Sequence, residues 1–453
     1  MQLAARRVTA ALLVALLSVL GGSAGPGITQ PQVAAATAEQ SRVALDDAEA
    51  GRDEAQTPDT ALPPDIIVLM LDDLVYLPDQ RVLERLPNIR REFIEGGMRF
   101  TNMNATIALC GPSRVTFLTG QYPLHHDVVR ITDTFRTPTA SINHRFQESG
   151  GYTTLNQGKG IHVEVQGGAD IGWSKRNLFV RQARKFEEQG VRWIEDAPRD
   201  QPLFAWYSTN FPHEIPGEYY PHVVPRFQGD PRCADLEPFK PPTYKTWDEP
   251  RDPPFHMPMD MDDGWDLTTT CESLLGIDDA IGAIVQAQQE RERPVVLVLM
   301  TDHGVALGQF GYPFKWSPYA RRTEFYMAGT GIPAGVSTNT LVSDIDVAPT
   351  LAEAAGVELD YPVDGQSFWP LAQGDYDHPG RRYHLCHFEA PGNPSLGFRC
   401  VVSSKWLGIF WDDGREKLTK ADGWGRRNLK DAEPERLDWL RARANQLYNE
   451  SRS

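Results

Sequence analysis

DIIVLMLDD, at residues 65–73, is an apolar run that ends in two carboxylates. Because its apolar residues follow one another without alternation, the run predicts a strand buried on both faces of a sheet. Three later runs repeat this pattern, and each is followed by polar side chains that can do chemistry. These runs are residues 152–155 before Lys159 and His162, residues 202–207 before His213, and residues 294–300 before Asp302 and His303.

Helical patterns separate the apolar runs, as in residues 273–288, where apolar side chains recur at helical spacing. Strands that alternate with helices predict an α/β fold, with a large, mostly parallel (mixed) sheet sandwiched between helices. In such sheets ligands bind beyond the carboxyl ends of the strands, so the four polar clusters predict one shared site.

The pattern changes after residue 383. The sequence predicts short strands at residues 384–389, 398–402 and 405–410, and a charged helix at residues 434–449. We expect these elements to form a small C-terminal α+β subdomain with an antiparallel sheet, at residues 380–453, beside a large catalytic domain at residues 65–375.

The N-terminus has the pattern of a secretory signal. Arg6 and Arg7 precede an apolar run at residues 8–20, and small residues follow at 22–24. We predict a signal peptide at residues 1–24, with an uncleaved membrane anchor as the alternative. Residues 25–64 lack aromatic side chains, which predicts a flexible linker. The protein is therefore expected to be secreted, periplasmic or at the cell surface.

Composition limits the partners. The chain has 453 residues, of which 41% are hydrophobic, and a formal net charge of -16. This negative charge argues against nucleic acid as a general partner. An anion site would therefore be a local basic pocket in an acidic protein.

CGPSRVTFLTG, at residues 110–120, predicts the start of a helix at Cys110. Pro112 suits the first helical turn, where its missing N–H is not needed. Free N–H groups at such a helix start favour an anion, and Arg114 adds a permanent positive charge with fork geometry. The alternative is a buried structural cysteine beside a helix start.

Asp72, Asp73 and Asp302 predict a cation site. Three carboxylates at adjacent strand ends repel one another unless a cation neutralises them. Oxygen ligands favour Ca²⁺ or, less readily, Mg²⁺. For Asp72 and Asp73 alone, the alternative is a helix cap after the strand.

The Cys-x-Pro-Ser-Arg pattern with the following Leu-Thr-Gly is typical of type I sulfatases. Residues 65–373 resemble these sulfatases, which belong to the alkaline-phosphatase superfamily. The sequence is similar to the N-acetylglucosamine-6-sulfatase branch at residues 108–110, at 122–126 and at 308–310, and to the iduronate-2-sulfatase branch in the spacing from Gly158 and Lys159 to His162. Residues 346–351, followed by Asp364 and Gly365, resemble the segment that closes the family's large domain.

The resemblance implies that a maturation enzyme oxidises Cys110 to formylglycine, whose hydrated aldehyde attacks the sulfur of a sulfate ester. It further implies roles for nine other residues. Asp72, Asp73, Asp302 and His303 would bind Ca²⁺ together with residue 110; Arg114, Lys159 and Lys315 would neutralise the nucleophile and the sulfate; His213, with Lys315, would protonate the leaving alcohol; and His162 would take the proton of the second hydroxyl as sulfate leaves. For His303 the alternative is a hydrogen-bond donor beside the metal.

The remaining four cysteines can pair fully in an exported protein. Because Cys386 and Cys400 flank two predicted strands, they form the favoured bridge. Free buried thiols are the alternative, and the pairing of Cys233 with Cys271 is left open.

The segment after Lys315 departs from the family pattern, because Ala320 replaces the usual Glu and the usual Arg-Val-Pro is lost. The usual Tyr-x-Ala is also absent around Cys271. These changes affect the expected substrate pocket, not the nucleophile. We therefore predict a formylglycine-dependent sulfatase that acts on a sulfated sugar. The alternatives are a phosphoester or phosphonate monoester hydrolase of the same superfamily, and a sulfatase-like binding protein without turnover.

Overall fold

The computed structural model describes residues 62–159, 172–178, 182–213, 221–244, 264–310, 312–422 and 424–452. The predicted signal peptide and nearly all of the predicted linker lie outside these ranges. Among the described residues, no helix has the length and apolar character needed to cross a membrane. Residues Ala61–Ser453 form one compact unit, and the boundary predicted between residues 375 and 380 stays a prediction.

The strands are β1 (Asp65–Leu71), β2 (Gly97–Phe100), β3 (Met103–Asn104), β4 (Thr153–Gly158), β5 (Lys175–Asn177), β6 (Leu203–Ser208), β7 (Val295–Thr301), β8 (Ala306–Leu307), β9 (Pro313–Phe314), β10 (Phe325–Gly329), β11 (Val336–Thr338), β12 (Val342–Ser343), β13 (His384–Phe388), β14 (Phe398–Val402), β15 (Trp406–Trp411) and β16 (Glu416–Lys420). The α-helices are α1 (Pro87–Ile89), α2 (Cys110–Thr119), α3 (Ile142–Glu148), α4 (Ala183–Glu195), α5 (Leu267–Gln289), α6 (Val347–Ala355), α7 (Trp369–Ala372) and α8 (Pro434–Glu450). Within the described ranges, the other helical segments are a π-helical turn at Arg90–Glu95 and 3₁₀ turns at Leu83–Arg85, Pro225–Phe227 and Asp344–Asp346.

The central sheet has eight strands in the order β11-β2-β10-β7-β1-β6-β4-β5. The four strands predicted from sequence, β7, β1, β6 and β4, are neighbours and run parallel. Strand β10 is antiparallel to both β7 and β2, which makes the sheet mixed. The predicted α/β class and mixed sheet are confirmed.

Strand β1 shows why its run is apolar throughout. Its side chains at Ile67 and Leu69 enter one hydrophobic core, which includes residues of α4 and α5. Those at Ile66 and Val68 enter a second core, which includes residues of α2, α3 and α6. Helices therefore cover both faces of the sheet, and no face of β1 is left for polar side chains.

The C-terminal part contains an antiparallel sheet in the order β13-β14-β15-β16. Three of its strands and helix α8 follow the sequence prediction to within one residue at each end. Strand β16 was not predicted, because its charged residues hide the pattern of a strand. Helix α8 packs on β14 and β15 through Leu437, Leu440 and Ala444.

Two disulfide bonds are present. Cys386 and Cys400 face each other across β13 and β14 and are bonded, as favoured from the sequence. Cys233 is bonded to Cys271 in helix α5. The alternative of free buried thiols at these four positions is therefore wrong, and Cys110 is the one cysteine without a disulfide bond.

Candidate active site

The polar residues after the four parallel strands lie together at one edge of the sheet. Asp72 and Asp73 follow β1, Lys159 follows β4, His213 comes after β6, and Asp302 and His303 follow β7. Lys315 joins them from the loop after β9, and Cys110 from the start of α2. The prediction for His162 lies outside the described residues.

Cys110 lies at the first position of helix α2 and is 2% exposed. Its Sγ is 3.1 Å from Lys315 Nζ, 3.6 Å from Lys159 Nζ and 3.5 Å from His303 Nε2. Burial alone would raise the pKa of the thiol, but the two ammonium groups outweigh burial and hold the pKa well below its ordinary value. Position 110 is therefore built to carry a negative charge.

Asp73 has the features of a cation ligand. Its backbone φ is 61°, in the left-handed region that a non-glycine residue seldom adopts. Both of its carboxylate oxygens are buried and accept no hydrogen bond. Oδ1 lies 2.9 Å from Lys315 Nζ and 3.1 Å from His303 Nε2, and Oδ2 lies 3.4 Å from His213 Nε2. A buried carboxylate without hydrogen bonds is costly unless positive charge compensates it.

Two overlapping groups of side chains could hold a metal ion, because their ligand atoms lie within 4.8 Å of one another. The groups are Asp72, Asp73, Cys110 and His213, and Cys110, Asp302 and His303. Burial and the neighbouring Asp72 carboxylate raise the pKa of Asp302 to about 7. The carboxylate oxygens fit a hard divalent cation, and such a cation would relieve their crowding.

His303 is oriented by its own backbone neighbourhood. Its Nδ1 lies 2.8 Å from the carbonyl oxygen of Gly304, so Nδ1–H is the donor. The other nitrogen, Nε2, faces Asp73 and Cys110. Although burial alone would lower the pKa of His303, the carboxylates of Asp302 and Asp73 raise it to about 9. The geometry is compatible with either role considered from the sequence, a ligand or a hydrogen-bond donor.

Arg114 is 1% exposed, and its guanidinium N–H groups donate hydrogen bonds to other residues of the protein. Nε and Nη2 donate to Asp302 Oδ2 at 3.1 and 3.0 Å, and Nη1 donates to the carbonyl of Lys159 at 2.6 Å and to Ser208 Oγ. The predicted contact between Arg114 and sulfate stays a prediction. In the structure, its charge acts on Asp302.

Lys159 reaches the site because Gly158 lets the chain turn out of strand β4. Gly158 has a φ of 107°, and a Cβ there would lie 1.8 Å from the carbonyl oxygen of Ser208. Lys159 Nζ forms an ion pair with Asp72. Burial opposes the charge of Lys159, but Asp72 raises the pKa of the ammonium group above its ordinary value.

His213 is the most exposed of the described candidate residues, with 24% of its side chain accessible. Its backbone N–H donates to the carbonyl of Asn210 at 3.1 Å. Burial alone would lower its pKa, but a hydrogen bond with Cys110 and the carboxylates of Asp72 and Asp73 raise it to about 9. It therefore stands between the buried cluster and solvent.

Ser208 and Ser113 also belong to the site, although neither was predicted as a site residue from the sequence. Ser208 accepts a hydrogen bond from Arg114, and Ser113 Oγ donates to the backbone carbonyl of Asp302. Ser208 is the last residue of β6, and a polar residue at the end of an apolar strand could have indicated that it belongs to the site. Ser113 gave no signal of its own beyond the motif.

The segment before Cys110 is held by three distant parts of the chain. Ala105 N–H donates to the carbonyl of Arg321 at 2.7 Å, and Thr106 N–H donates to Asp344 Oδ2 at 2.7 Å. His387, in β13, donates its N–H to the carbonyl of Thr106 at 3.0 Å. The C-terminal sheet therefore supports the approach to the candidate nucleophile.

The family model named Sulfatase matches residues 64–357, more than half of the chain. The chain belongs to the sulfatase family. The resemblance inferred from the Cys110 motif is thereby confirmed.

Two relatives show how far the similarity to sulfatases extends. The chain is 23% identical over 357 residues to the extracellular sulfatase SULF-1 homolog of Drosophila melanogaster, covering 68% of this chain and 31% of that protein. It is 24% identical over 384 residues to N-acetylglucosamine-6-sulfatase of Homo sapiens, covering 73% and 68%. The chain thus spans about a third of the fly sulfatase and about two thirds of the human one.

Solved structures support the fold. The structure of BT4656 in complex with its substrate D-glucosamine-2-N,6-O-disulfate has a TM-score of 0.67 and 16% identity, covering 86% of this chain and 98% of that one. The phosphonate monoester hydrolase SpPMH from Silicibacter pomeroyi has a TM-score of 0.60 and 17% identity, covering 85% and 95%. At these identities the similarity shows the sulfatase-like fold and does not distinguish the ester that is cleaved.

Proposed function

We propose that this sulfatase family member hydrolyses a sulfated sugar to release inorganic sulfate, with residue 110 as its nucleophile. The observation that carries the proposal is the setting of Cys110 at the start of a helix. Two ammonium groups, of Lys315 and Lys159, lie within 3.6 Å of its Sγ. Buried carboxylates lie close by, so this cluster would combine an anion site with a cation site.

Two groups would complete the site. Oxidation of Cys110 to formylglycine would supply a hydrated aldehyde as the attacking group. A divalent cation, Ca²⁺ rather than Mg²⁺, would bind Asp72, Asp73 and Asp302 and supply Lewis-acid polarisation of the sulfate. The carboxylate of Asp73 supports this assignment, because both of its oxygens are buried and are in contact with the cationic groups of Lys315, His303 and His213 without accepting a well-aligned hydrogen bond.

The chain's own cations would bind the sulfate group. Lys315 and Lys159 point at Cys110 from two different loops, so a sulfuryl group beside that residue would contact both ammonium groups. Fixed positive charges in a buried site stabilise developing negative charge without rearrangement. Arg114 would contribute by holding the carboxylate of Asp302 in place.

His213 would donate a proton to the leaving alcohol. It is the described candidate residue nearest to solvent, where the sugar must lie if the sulfate faces Cys110. Its Nε2 is 3.4 Å from Asp73 Oδ2, which orients the ring toward the site. A positioned imidazole in this role accelerates ester cleavage. His162 would serve as the base for the second half-reaction.

The substrate class is proposed from the relatives. An N-acetylglucosamine-6-sulfatase and a structure bound to a sulfated glucosamine are both similar to this chain. Relatives named extracellular sulfatases also support a secreted, periplasmic or cell-surface location.

The test combines mass spectrometry with activity. The peptide containing Cys110, from protein made in its native host, should carry an aldehyde instead of a thiol. The protein should release sulfate from an aryl sulfate and from N-acetylglucosamine 6-sulfate, and Cys110→Ala should not. Faster cleavage of an aryl phosphate or phosphonate would favour the alternative hydrolase, and an unmodified thiol with sugar binding but no turnover would favour the binding protein.

A further inference from the structure

Two adjoining cavities lie beside helix α8, with volumes of about 1060 and 430 Å³. Both are lined by Gln366, Arg381, Arg382, Tyr383 and Trp439, so we call them together the basic groove. The groove lies where β13 begins and β14 ends. None of the residues of the candidate active site lines it.

The charge of the basic groove is opposite to that of the whole chain. Its lining includes five cationic side chains and neither Asp nor Glu, whereas the chain carries a formal net charge of -16. The cationic residues are Arg381, Arg382, Lys405, Arg436 and Arg443. A surface that gathers only one sign of charge attracts ligands of the other sign.

Three of these cations are not neutralised by the protein. Arg381 pairs with Asp346 at 3.1 Å, and Arg436 pairs with Glu433 at 3.3 Å. Arg382, Lys405 and Arg443 form no ion pair with any residue in the described part of the chain. Their charges are available to an anionic ligand.

Aromatic rings lie among the cations. Trp439 is 46% exposed, and its ring centroid is 5.1 Å from that of Tyr383. The Arg443 guanidinium lies 5.2 Å from the Tyr383 ring, and the Arg436 guanidinium lies 4.6 Å from the Trp406 ring. Cation–π contacts of this kind hold the charged groups in place. Exposed ring faces offer apolar platforms for the C–H faces of sugar rings.

We propose that the basic groove is a second, non-catalytic binding site for a linear sulfated oligosaccharide. Guanidinium groups bind oxyanions with two hydrogen bonds, and the side chains of Asn339, Gln366 and Ser403 in the lining can bind sugar hydroxyls. The larger cavity alone matches the upper range of small-ligand pockets, about 1,000 Å³, so the two together suit several sugar units. The choice of a sulfated sugar, rather than another anion, rests on the proposed function.

The test measures binding apart from catalysis. Full-length protein with Cys110→Ala is titrated calorimetrically with a heparin hexasaccharide and with the same hexasaccharide after desulfation. A groove variant carries Arg382→Gln, Lys405→Gln and Arg443→Gln, which keep polar side chains of similar length. A control variant carries Arg90→Gln, Arg184→Gln and Arg226→Gln, which remove the same charge from exposed positions outside the groove.

The groove variant should bind the sulfated hexasaccharide at least ~10-fold more weakly, and the control variant should bind it nearly as the parent does. Trp439→Ala should also weaken binding without lowering the unfolding temperature. Equal losses in the groove and control variants would overturn the proposal. So would equal binding of the desulfated hexasaccharide, or tighter binding of a DNA oligonucleotide of the same charge.

Catalysis is scored separately, on otherwise unmutated protein with a small aryl sulfate. The groove variant should keep the parent's kcat/KM on this ester, because its substitutions lie outside the candidate active site. If the parent cleaves no sulfate ester but the binding pattern holds, the proposed function fails and the groove proposal stands. If sulfate is released but the groove substitutions leave hexasaccharide binding unchanged, the groove proposal alone fails.

Discussion

Arg114 donates two hydrogen bonds to a single carboxylate oxygen of Asp302, at 3.1 and 3.0 Å, in a pair that is almost completely buried. This arrangement leaves Asp302 Oδ1 to accept hydrogen bonds from the backbone N–H groups of Asp73 and His303. The pair therefore links helix α2 to the ends of β1 and β7. It also holds a carboxylate that we propose as a cation ligand.

Replacing Arg114 should lower the free energy of unfolding. Arg114→Ala leaves the Asp302 carboxylate buried without its charged partner, which typically costs ~3–5 kcal/mol. Urea unfolding with and without Ca²⁺ measures this loss. Arg184→Ala, at a side chain that is 88% exposed, serves as the control and should change stability by less than ~0.5 kcal/mol. Equal losses of unfolding free energy in the two variants would show that the buried pair stabilises the fold no more than an exposed arginine does.

Removal of divalent cations should lower the unfolding temperature. A ligand at about 100 times its dissociation constant stabilises the native state by ~2.7 kcal/mol. The unfolding temperature is measured in EDTA and again after Ca²⁺ or Mg²⁺ is added. It should recover at a lower concentration of Ca²⁺ than of Mg²⁺. Asp73→Asn should remove the response, while Asp279→Asn on the surface should keep it. A Ca²⁺ response that survives in Asp73→Asn would contradict the assignment of Asp73 as a ligand.

His213→Gln should affect esters according to their leaving group. An alkyl sulfate needs a proton on the departing oxygen, so kcat/KM should fall by ~10²–10⁴. A nitrophenyl sulfate leaves as a stable phenolate and should be affected much less. A ratio of the two rates that is unchanged by the substitution would exclude His213 as the proton donor.

Acid should destabilise the fold through buried histidines. Burial lowers the pKa of His126 to about 3. Val128 N–H donates a hydrogen bond to His126 Nδ1, and this bond is lost when the ring is protonated, because Nδ1 then carries a hydrogen. Electrostatic repulsion from the His387 and His125 rings lowers this pKa further.

The sign follows from the two states of His126. The ordinary pKa of 6.5 applies to the unfolded chain, so that chain binds the extra proton below pH 6.5. The stabilising contribution is complete above pH 6.5 and is lost as the pH falls toward the folded-state value, by ~1.4 kcal/mol per pH unit. In His126→Gln, unfolding free energies measured between pH 6.5 and pH 4 should depend on pH less steeply by that amount. Parallel curves would contradict the prediction.

Loss of the Cys386–Cys400 bridge should destabilise the C-terminal sheet. The bridge joins residues 14 positions apart, and in the chain-entropy model a loop of this length stabilises the fold by ~3 kcal/mol. Cys233 and Cys271 are 38 positions apart, so their bridge should stabilise the fold by ~4 kcal/mol. Double substitutions to Ala in each pair, compared by urea unfolding, should give losses in that order. The reverse order would show that local packing outweighs loop length.

The sequence predicted β7, β1, β6 and β4 because strands buried on both faces are rich in apolar residues, but it missed β10, which lies beside β7 inside the sheet. It missed β2 and β5, which are short and carry polar residues such as Arg99 and Lys175. It also ended β4 three residues early, because Asn156 and Gln157 are buried inside the strand. Gln157 is accommodated by a hydrogen bond to the carbonyl of Phe186 at 2.7 Å, a partner that no local pattern reveals.

The polar side chains that the structure brings together at the strand ends were predicted from the sequence, with His162 outside the described residues, but the pairing among them was not predicted. Sequence indicates that Arg114 is charged, yet it cannot indicate that Asp302 and Ser208 occupy its donors. Those partners are 188 and 94 residues away along the chain. The same distance hides the contact between Asp73 and Lys315, because contacts between loops depend on the order of the strands.

The hydrogen bond from His387 to the carbonyl of Thr106 also bears on synthesis of the protein. The segment before Cys110 leaves the ribosome long before residues 384–388 are translated. Until then, the Thr106 carbonyl lacks this hydrogen bond, and strand β13 cannot hold the approach to Cys110. A nascent chain therefore completes the surroundings of Cys110 only after the C-terminal sheet has emerged.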